Sequence, residues 1–111
     1  MPINQEESQI ARAKKHMNLL KKEFINVNLI STSLTNVFNT FKDELKTNNS
    51  GELDQHSLAN SRARLRMTTL YYYAGYYKSL VVGTGNKVED FGVGFYTKYG
   101  DGGVDISPIA D

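Results

Sequence analysis

Leu80-Val-Val-Gly-Thr-Gly-Asn-Lys-Val-Glu-Asp, residues 80–90, is the stretch that decides the expected fold. Its first four residues form a short apolar run that ends in glycine, and this pattern predicts a buried β-strand. A long helical pattern, from about Asp54 to Ser79, leads into this run. Strands that alternate with helices are typical of a parallel α/β sheet, in which ligands bind beyond the carboxyl ends of the strands. We therefore expect ligand chemistry to begin at about Thr84.

The remaining segments predict further helices and strands. An amphipathic helix is predicted by the apolar stripe Ile10, Ala13, Met17, Leu20 and Phe24, and a second helix by the stripe Leu34, Val37, Phe38, Phe41 and Leu45. Residues 25–31 alternate apolar and polar side chains, which predicts a strand, and another strand is expected near Val104–Ile109. The 111 residues are long enough for one domain and too short for two.

Composition excludes several classes of protein. Thirteen lysines and arginines stand against twelve acidic residues, so no strong net charge attracts nucleic acid or anionic lipid. There is no cysteine and there are two histidines, which excludes a disulfide framework and a cysteine-based zinc site. No apolar run approaches the length of a membrane span, and no signal peptide precedes the first helix. A cytoplasmic protein without a membrane or nucleic-acid partner is the resulting expectation.

Two apolar stripes run along the long helix. One consists of Ala59, Ala63, Met67, Leu70, Ala74 and Tyr77, and the other, roughly opposite, of Leu58, Leu65, Tyr72 and Tyr76. A helix that is apolar on both sides is usually buried on both sides. We therefore expect one side to face the sheet and the other to be covered by a further segment or by a second subunit.

Three arginines, Arg62, Arg64 and Arg66, lie on the flanks of the same helix. They are explained by surface ion pairs, with their aliphatic stems packed along the helix. The alternative is an anion-binding flank, because the guanidinium fork suits phosphate and carboxylate. Nucleic-acid binding by Arg62–Arg66 beside the tyrosines is a further alternative, and the net charge and the acidic end of the chain argue against it.

The residues after the predicted strand have the chemistry of a phosphate and magnesium site. Glycine lets backbone N–H groups approach a phosphate, and carboxylates such as Glu89 and Asp90 suit Mg²⁺. A plain turn explains the same Gly-Thr-Gly sequence. Residues 91–105 contain several glycines beside tyrosines, Lys98 and two aspartates, which favours either a loop that closes on a ligand or an irregular surface loop.

Three long motifs resemble those of the ammonia-dependent NAD⁺ synthetases, in the same order and at the same spacing. They are Asn60-Ser-Arg-Ala-Arg-Leu-Arg-Met, then residues 80–90, then Phe95-Tyr-Thr-Lys-Tyr-Gly-Asp-Gly-Gly-Val-Asp with the Pro-Ile that follows. Met1-Pro-Ile-Asn-Gln resembles the segment after the second strand of that family, so the likeness covers essentially the whole chain. It implies an α/β fold of the N-type ATP pyrophosphatases, a doubly wound, Rossmann-like parallel sheet, here as one partial domain over 1–111.

The resemblance also implies a reaction. The family adenylates the nicotinate carboxylate of deamido-NAD⁺ with ATP and Mg²⁺, releases pyrophosphate, and lets ammonia displace AMP to give NAD⁺. Its members are homodimers that bind deamido-NAD⁺ near the subunit interface. No glutaminase signature is present, so direct use of ammonia is the simpler expectation.

Six positions match the family's binding residues. Thr84 and Gln5 fall on ATP contacts, Glu89 on a Mg²⁺ ligand, and Arg64, Lys98 and Asp105 on deamido-NAD⁺ contacts. No side chain is assigned a catalytic role, because the substrate carboxylate is itself the nucleophile. Binding and charge stabilisation are then the main contributions of the protein.

One departure from the family bears on activity. The Ser-Gly-Gly-x-Asp-Ser pyrophosphate loop does not occur in the 111 residues, nor do the family's later ATP-binding Lys and Thr. The sequence is therefore expected to be an internal fragment of a synthetase that is inactive alone. The alternative is a non-catalytic nucleotide-binding or dimer-forming module that keeps Arg64, Thr84 and Lys98 as anion contacts.

Overall fold

Three α-helices account for most of the regular structure in the computed structural model, which describes residues 1–48 and 52–110. They are α1 (Glu7–Glu23), α2 (Thr35–Asn48) and α3 (Gln55–Tyr77), followed by a π-helical turn over Val88–Val93 and a 3₁₀ turn over Asp101–Gly103. The predicted loop at 46–51 falls partly on residues outside the described ones. The chain divides into two units, Met1–Phe41 and Lys42–Asp111. Among the described residues, no helix is both long and apolar enough to cross a membrane.

The first unit has a small core at its amino-terminal segment. Ile3, Leu34 and Phe38 are buried, whereas α1 buries none of its residues. The backbone N–H of Leu34 donates to the carbonyl of Pro2 at 2.9 Å, and this bond ties the segment before α1 to the start of α2. Of the apolar stripe that predicted α1, Ile10, Met17 and Leu20 are half-buried, whereas Ala13 and Phe24 are exposed.

The strand predicted at residues 25–31 is wrong. The segment is irregular, and the Ile25 side chain is 97% exposed. The alternation is still visible, because Val27 and Leu29 are half-buried while Asn26 and Asn28 are exposed. A strand needs a neighbour to pair its backbone groups, and no β-pairing to this segment occurs among the described residues.

The long helical pattern from Asp54 to Ser79 is confirmed by α3. Asp54 caps its amino terminus, since the Asp54 carboxylate accepts from the Ser57 backbone N–H at 2.7 Å. Hydrogen bonds from Ser57, first from its side chain and then from its backbone, hold the pKa of Asp54 below its ordinary value. Lys78 ends the helix in the left-handed region, with a φ of 51°, and the Ser79 N–H then donates to the Ala74 carbonyl at 2.9 Å.

A single parallel bridge, Val82 with Ile106, joins the two segments predicted as strands after α3. The Gly83 N–H donates to the Ile106 carbonyl at 2.7 Å, and the Asp105 N–H to the Val81 carbonyl at 3.0 Å. The two segments therefore run parallel, as predicted. Their pairing is limited to one bridge, which is too short to form a β-strand. The described residues contain this bridge and no β-strand. The expected doubly wound sheet therefore stays a prediction.

The core of the second unit lies between α3 and this bridge. Met67 and Ala74 of α3 are buried with Val81, and Val104 packs against them. Leu58, assigned to the opposite stripe, is also buried, at 5% exposure. Tyr72 and Tyr76 on that second stripe are 67% and 71% exposed and stack on each other, with ring centroids 6.5 Å apart. The carboxyl-terminal half of α3 is therefore buried on one side only.

The close approach of the paired segments makes Gly83 a sensitive position. A Cβ at Gly83 would lie 2.6 Å from Val104 Cγ2, whereas a Cβ at Gly75 in α3 would meet nothing within 4 Å. We expect Gly83→Ala to destabilise the unit by about 1–3 kcal/mol through overpacking. Gly75→Ala should stabilise it by about 0.5–1 kcal/mol, because alanine loses less entropy in a helix. Urea unfolding of both variants checks this, and equal midpoints would contradict the packing at Gly83.

Candidate functional site

A cleft of about 470 Å³ lies in the second unit, between the amino-terminal half of α3 and the glycine-rich segment. It is lined by His56, Ala59, Asn60, Arg64, Gly94, Phe95, Tyr96, Thr97, Lys98 and Asp101. Two of the predicted binding residues, Arg64 and Lys98, are therefore brought together at one cavity. They come from parts of the chain that are 34 residues apart.

Side chains of α3 form hydrogen bonds to the side of the cleft that contains Thr97 and Lys98. The Thr97 hydroxyl donates to Asn60 Oδ1 at 3.0 Å, and Arg64 Nε donates to the Lys98 carbonyl at 2.9 Å. Asn60 and Arg64 are four residues apart, so they lie on the same face of the helix. The helix therefore fixes where the segment around Thr97 and Lys98 runs.

The same segment also folds on itself. The Asp101 carboxylate accepts from the Thr97 N–H at 2.6 Å, and the Thr97 carbonyl accepts from the Gly100 and Gly102 N–H groups at 2.9 and 3.2 Å. Gly100 is buried against the helix, where a Cβ would lie 3.0 Å from Ala63 Cβ. A side chain at this position would crowd Ala63 and Thr97, because the loop backbone closely approaches α3.

Two cationic side chains, Arg64 and Lys98, and one carboxylate, Asp101, line the cleft. The bond through Nε leaves the two terminal NH₂ groups of the Arg64 guanidinium available for further hydrogen bonds. The Lys98 ammonium lies 5.0 Å from the centre of the Tyr99 ring, which can stabilise the cation while leaving it exposed. Arg64 is therefore held at the cleft by a hydrogen bond to the loop backbone, and its role as an anion contact stays a prediction.

Glu89 is oriented by Asn86 at the start of the π-helical turn. The Asn86 amide donates to Glu89 Oε2 at 2.9 Å, and Asn86 Oδ1 accepts from the Glu89 N–H at 3.0 Å. Gly85 lies so close to the Asp90 carboxylate that a Cβ at this position would collide with it. Thr84, Asn86 and Glu89 are all exposed, so this segment presents a hydroxyl, an amide and a carboxylate to solvent.

The expected Mg²⁺ would fit this segment only if phosphate oxygens and water supplied most of its ligands. In the described part of the chain, no group of three or more His, Cys, Asp or Glu side chains converges as a metal cage. Mg²⁺ usually takes one or two protein carboxylates and completes its octahedron with phosphate oxygens and water. Glu89 is suited to that role, because its carboxylate is exposed and held by Asn86.

Asp105 does not line the cleft. Its carboxylate accepts from the Tyr71 hydroxyl at 2.9 Å and from the Val81 N–H at 2.8 Å. In the parallel register set by Val82 and Ile106, Asp105 lies opposite Val81, and Thr84 lies further along the chain, beyond the bridge. Gln5, the remaining predicted contact, is exposed and belongs to the first unit.

Several residues with clear structural parts in the site were not singled out from the sequence. They are Asn60, Tyr71, Asn86 and Thr97. A local signal existed for Asn86, because Asn three residues before Glu is typical of a side chain that caps a turn. Tyr71 and Thr97 act on residues more than 30 positions away, and their partners have no sequence signature.

A statistical model of the NAD synthase family matches residues 1–111. This chain belongs to the NAD synthase family.

Two curated relatives show how much of this chain, and how much of each relative, the sequence similarity covers. An NH(3)-dependent NAD(+) synthetase of Carboxydothermus hydrogenoformans is 42% identical over 87 residues, which are 78% of this chain and 35% of that protein. Its counterpart in Methanococcoides burtonii is 40% identical over 104 residues, 94% of this chain and 36% of that protein. The chain thus spans about a third of the length of these relatives.

Solved structures agree on the fold family. The structure of NMN synthetase from Francisella tularensis superposes with a TM-score of 0.80 at 28% identity, over 99% of this chain and 42% of that one. The NH3-dependent NAD synthetase from Campylobacter jejuni, in complex with the nitrate ion, superposes with a TM-score of 0.75 at 28% identity, over 99% of this chain and 43% of that one. The chain therefore has the fold of part of an NAD synthetase.

Removing the Arg64 bond should loosen the cleft wall. We expect amides in peptides covering residues 97–103 to exchange about tenfold faster in Arg64→Leu, the effect of losing roughly one charge-assisted hydrogen bond. Hydrogen-exchange mass spectrometry measures this directly. Arg12→Leu in α1 is the matched control, because Arg12 is exposed and lies in the other unit. Identical exchange of these peptides in both variants would contradict the docking of the loop by Arg64.

Proposed function

We propose that this chain forms part of an ammonia-dependent NAD⁺ synthetase and contributes to binding both of its nucleotides. The full reaction would be the amidation of deamido-NAD⁺ with ATP and ammonia, giving NAD⁺, AMP and pyrophosphate. The observation that carries the proposal is the cleft in which Arg64 and Lys98 meet, in a chain that matches the family over its whole length.

Deamido-NAD⁺ is the proposed ligand of the cleft. It has a pyrophosphate and a nicotinate carboxylate, and the Arg64 guanidinium and Lys98 ammonium are suited to neutralise such groups. The exposed rings of Phe95 and Tyr96 line the same cavity and offer flat apolar surface for a base or a pyridine ring. Asp105 would complete the deamido-NAD⁺ contacts from the neighbouring bridge.

ATP is the proposed ligand of the segment after the bridge. The Thr84 hydroxyl can donate to a phosphate oxygen, and Gln5 is a further proposed ATP contact. Glu89 would hold Mg²⁺ through the carboxylate that Asn86 orients. When bound, Mg²⁺ would supply charge neutralisation at the phosphates.

The chemistry proposed for the whole enzyme needs no nucleophilic side chain. A carboxylate oxygen of the nicotinate attacks the α-phosphorus of ATP, the bond to the β-phosphate oxygen breaks, and pyrophosphate leaves. Ammonia then attacks the carbonyl carbon of the acyl-adenylate, AMP leaves with the bonding electrons, and a proton is lost from nitrogen. Arg64 and Lys98 would bind and orient the substrate, which is how positioning lowers the barrier.

A binding module without catalysis is the second candidate. The cleft is formed entirely by residues of this chain, whereas the Ser-Gly-Gly-x-Asp-Ser loop is not among them. The 111 residues would then bind deamido-NAD⁺ without releasing pyrophosphate.

Calorimetric titration of the 111-residue chain with deamido-NAD⁺ tests the proposal. Lys98→Ala should weaken binding about tenfold, as expected for one charge-assisted contact. Lys15→Ala, which removes an exposed ammonium from α1, is the matched control and should bind like the unmodified chain. Saturable binding that is unaffected by Lys98→Ala would contradict the assignment of the cleft.

A second arm separates an enzyme segment from a complete catalyst. With ATP, Mg²⁺, deamido-NAD⁺ and ammonia, we expect no pyrophosphate release from the 111-residue chain, because the pyrophosphate loop is missing from its sequence. The synthetase of Methanococcoides burtonii is the positive control. Turnover above buffer would contradict the need for that loop.

A homodimer is the proposed assembly, formed over the exposed tyrosines of α3. Tyr72 and Tyr76 are stacked and more than two-thirds exposed, an arrangement that leaves aromatic surface in water. Replacing both with Glu should shift the sedimentation of micromolar protein from dimer to monomer, because buried unpaired carboxylates oppose association. Ile25→Glu, at a residue 97% exposed in the first unit, is the control and should leave the dimer intact. A monomeric unmodified chain would refute the proposed assembly.

A further inference from the structure

Tyr71 lies at the point where three separate segments of the second unit meet. Its hydroxyl oxygen lies 2.7 Å from the Gly103 carbonyl and 2.9 Å from Asp105 Oδ1, so these two acceptors share its one proton. The other oxygen of the Asp105 carboxylate accepts from the Val81 N–H at 2.8 Å. A single side chain of α3 thus reaches both the end of the 3₁₀ turn and the segment that pairs with Val82.

These contacts fix the orientation of the Asp105 carboxylate. An aspartate side chain has two torsions, and hydrogen bonds to its two oxygens from different segments define both of them. An ionised carboxylate has about four acceptor sites. Two of those are used by Tyr71 and Val81, and the others remain for a ligand. Asp105 is exposed, so a ligand can reach them.

The protonation of Tyr71 suits this role. Partial loss of hydration first, and then the hydrogen bond and negative charge of Asp105, raise the pKa of the Tyr71 hydroxyl above its ordinary value. The hydroxyl therefore keeps its proton, and remains a donor, throughout the neutral range.

We propose that Tyr71 is a positioning residue that aims the Asp105 carboxylate at deamido-NAD⁺ through the hydrogen bond from its hydroxyl to Asp105 Oδ1. This inference rests on the proposed function, because it takes deamido-NAD⁺ as the ligand of Asp105. It adds a residue of α3 that does not itself touch the ligand. Together with Asn60 and Arg64, Tyr71 makes one helix the support of the whole deamido-NAD⁺ site.

A double-mutant cycle on the 111-residue chain tests this role, with calorimetric affinity for deamido-NAD⁺ as the readout. Tyr71→Phe should weaken binding about tenfold, since it removes one hydrogen bond to a charged group. In an Asp105→Ala background the same change should have an effect of about twofold or less, because the partner is already gone. Tyr77→Phe is the matched control, since Tyr77 is on the same helix and 58% exposed. An undiminished effect in the Asp105→Ala background would assign the role of Tyr71 to the Gly103 carbonyl and overturn the proposal.

A spectroscopic arm separates this inference from the proposed function. With ¹³C-labelled aspartate, the carboxyl resonance of Asp105 should shift in Tyr71→Phe and stay unchanged in Tyr77→Phe. If the unmodified chain binds no deamido-NAD⁺, the proposed ligand is wrong, and this resonance still decides whether Tyr71 orients Asp105. An Asp105 resonance that is the same in Tyr71→Phe and in the unmodified chain overturns the positioning role.

Discussion

Hydrogen bonds from α3 to the segment 97–105 are the interaction on which the second unit depends. Arg64 donates to the Lys98 carbonyl, the Tyr71 hydroxyl shares its proton between the Gly103 carbonyl and Asp105, and Asn60 accepts from the Thr97 hydroxyl. The segment is rich in glycine and buries little apolar surface, so the hydrophobic effect alone gives it no defined path. Each such bond contributes about 1 kcal/mol, and three of them along one helix face select one path among many.

The same bonds explain why the site has its chemistry. Arg64 presents a guanidinium to the cleft because its Nε is fixed on the Lys98 carbonyl, and the Lys98 side chain is thereby brought to the same cavity. Asp105 is held at the opposite end of the segment by the Tyr71 hydroxyl and the Val81 N–H. Arg64 and Asp105, two of the proposed deamido-NAD⁺ contacts, therefore share α3 as their support.

Sequence periodicity predicted the parts of the fold that are governed by local patterns. The extent of α3 follows from a pattern whose residues lie within a few positions of each other. The strand at 25–31 was wrong because alternation reports which side chains are half-buried, whereas a strand also needs a partner that no local pattern encodes. The prediction that segments 80–83 and 104–109 run parallel is confirmed, although the two segments form one bridge rather than paired strands. For the candidate site, resemblance supplied Arg64 and Lys98, whose meeting at one cleft the structure shows. The supporting residues Tyr71 and Thr97 could not be predicted, because their bonds join positions more than 30 residues apart.

The most direct test of this account is an NMR titration of the ¹⁵N-labelled chain with deamido-NAD⁺, following the side-chain Nε–H of Arg64 together with the backbone amides. The account predicts saturable shifts at the Arg64 Nε–H and at amides of residues 94–105, because the cleft wall and its support respond as one unit. Saturable shifts confined to residues of the first unit, with the Arg64 Nε–H unchanged, would contradict it.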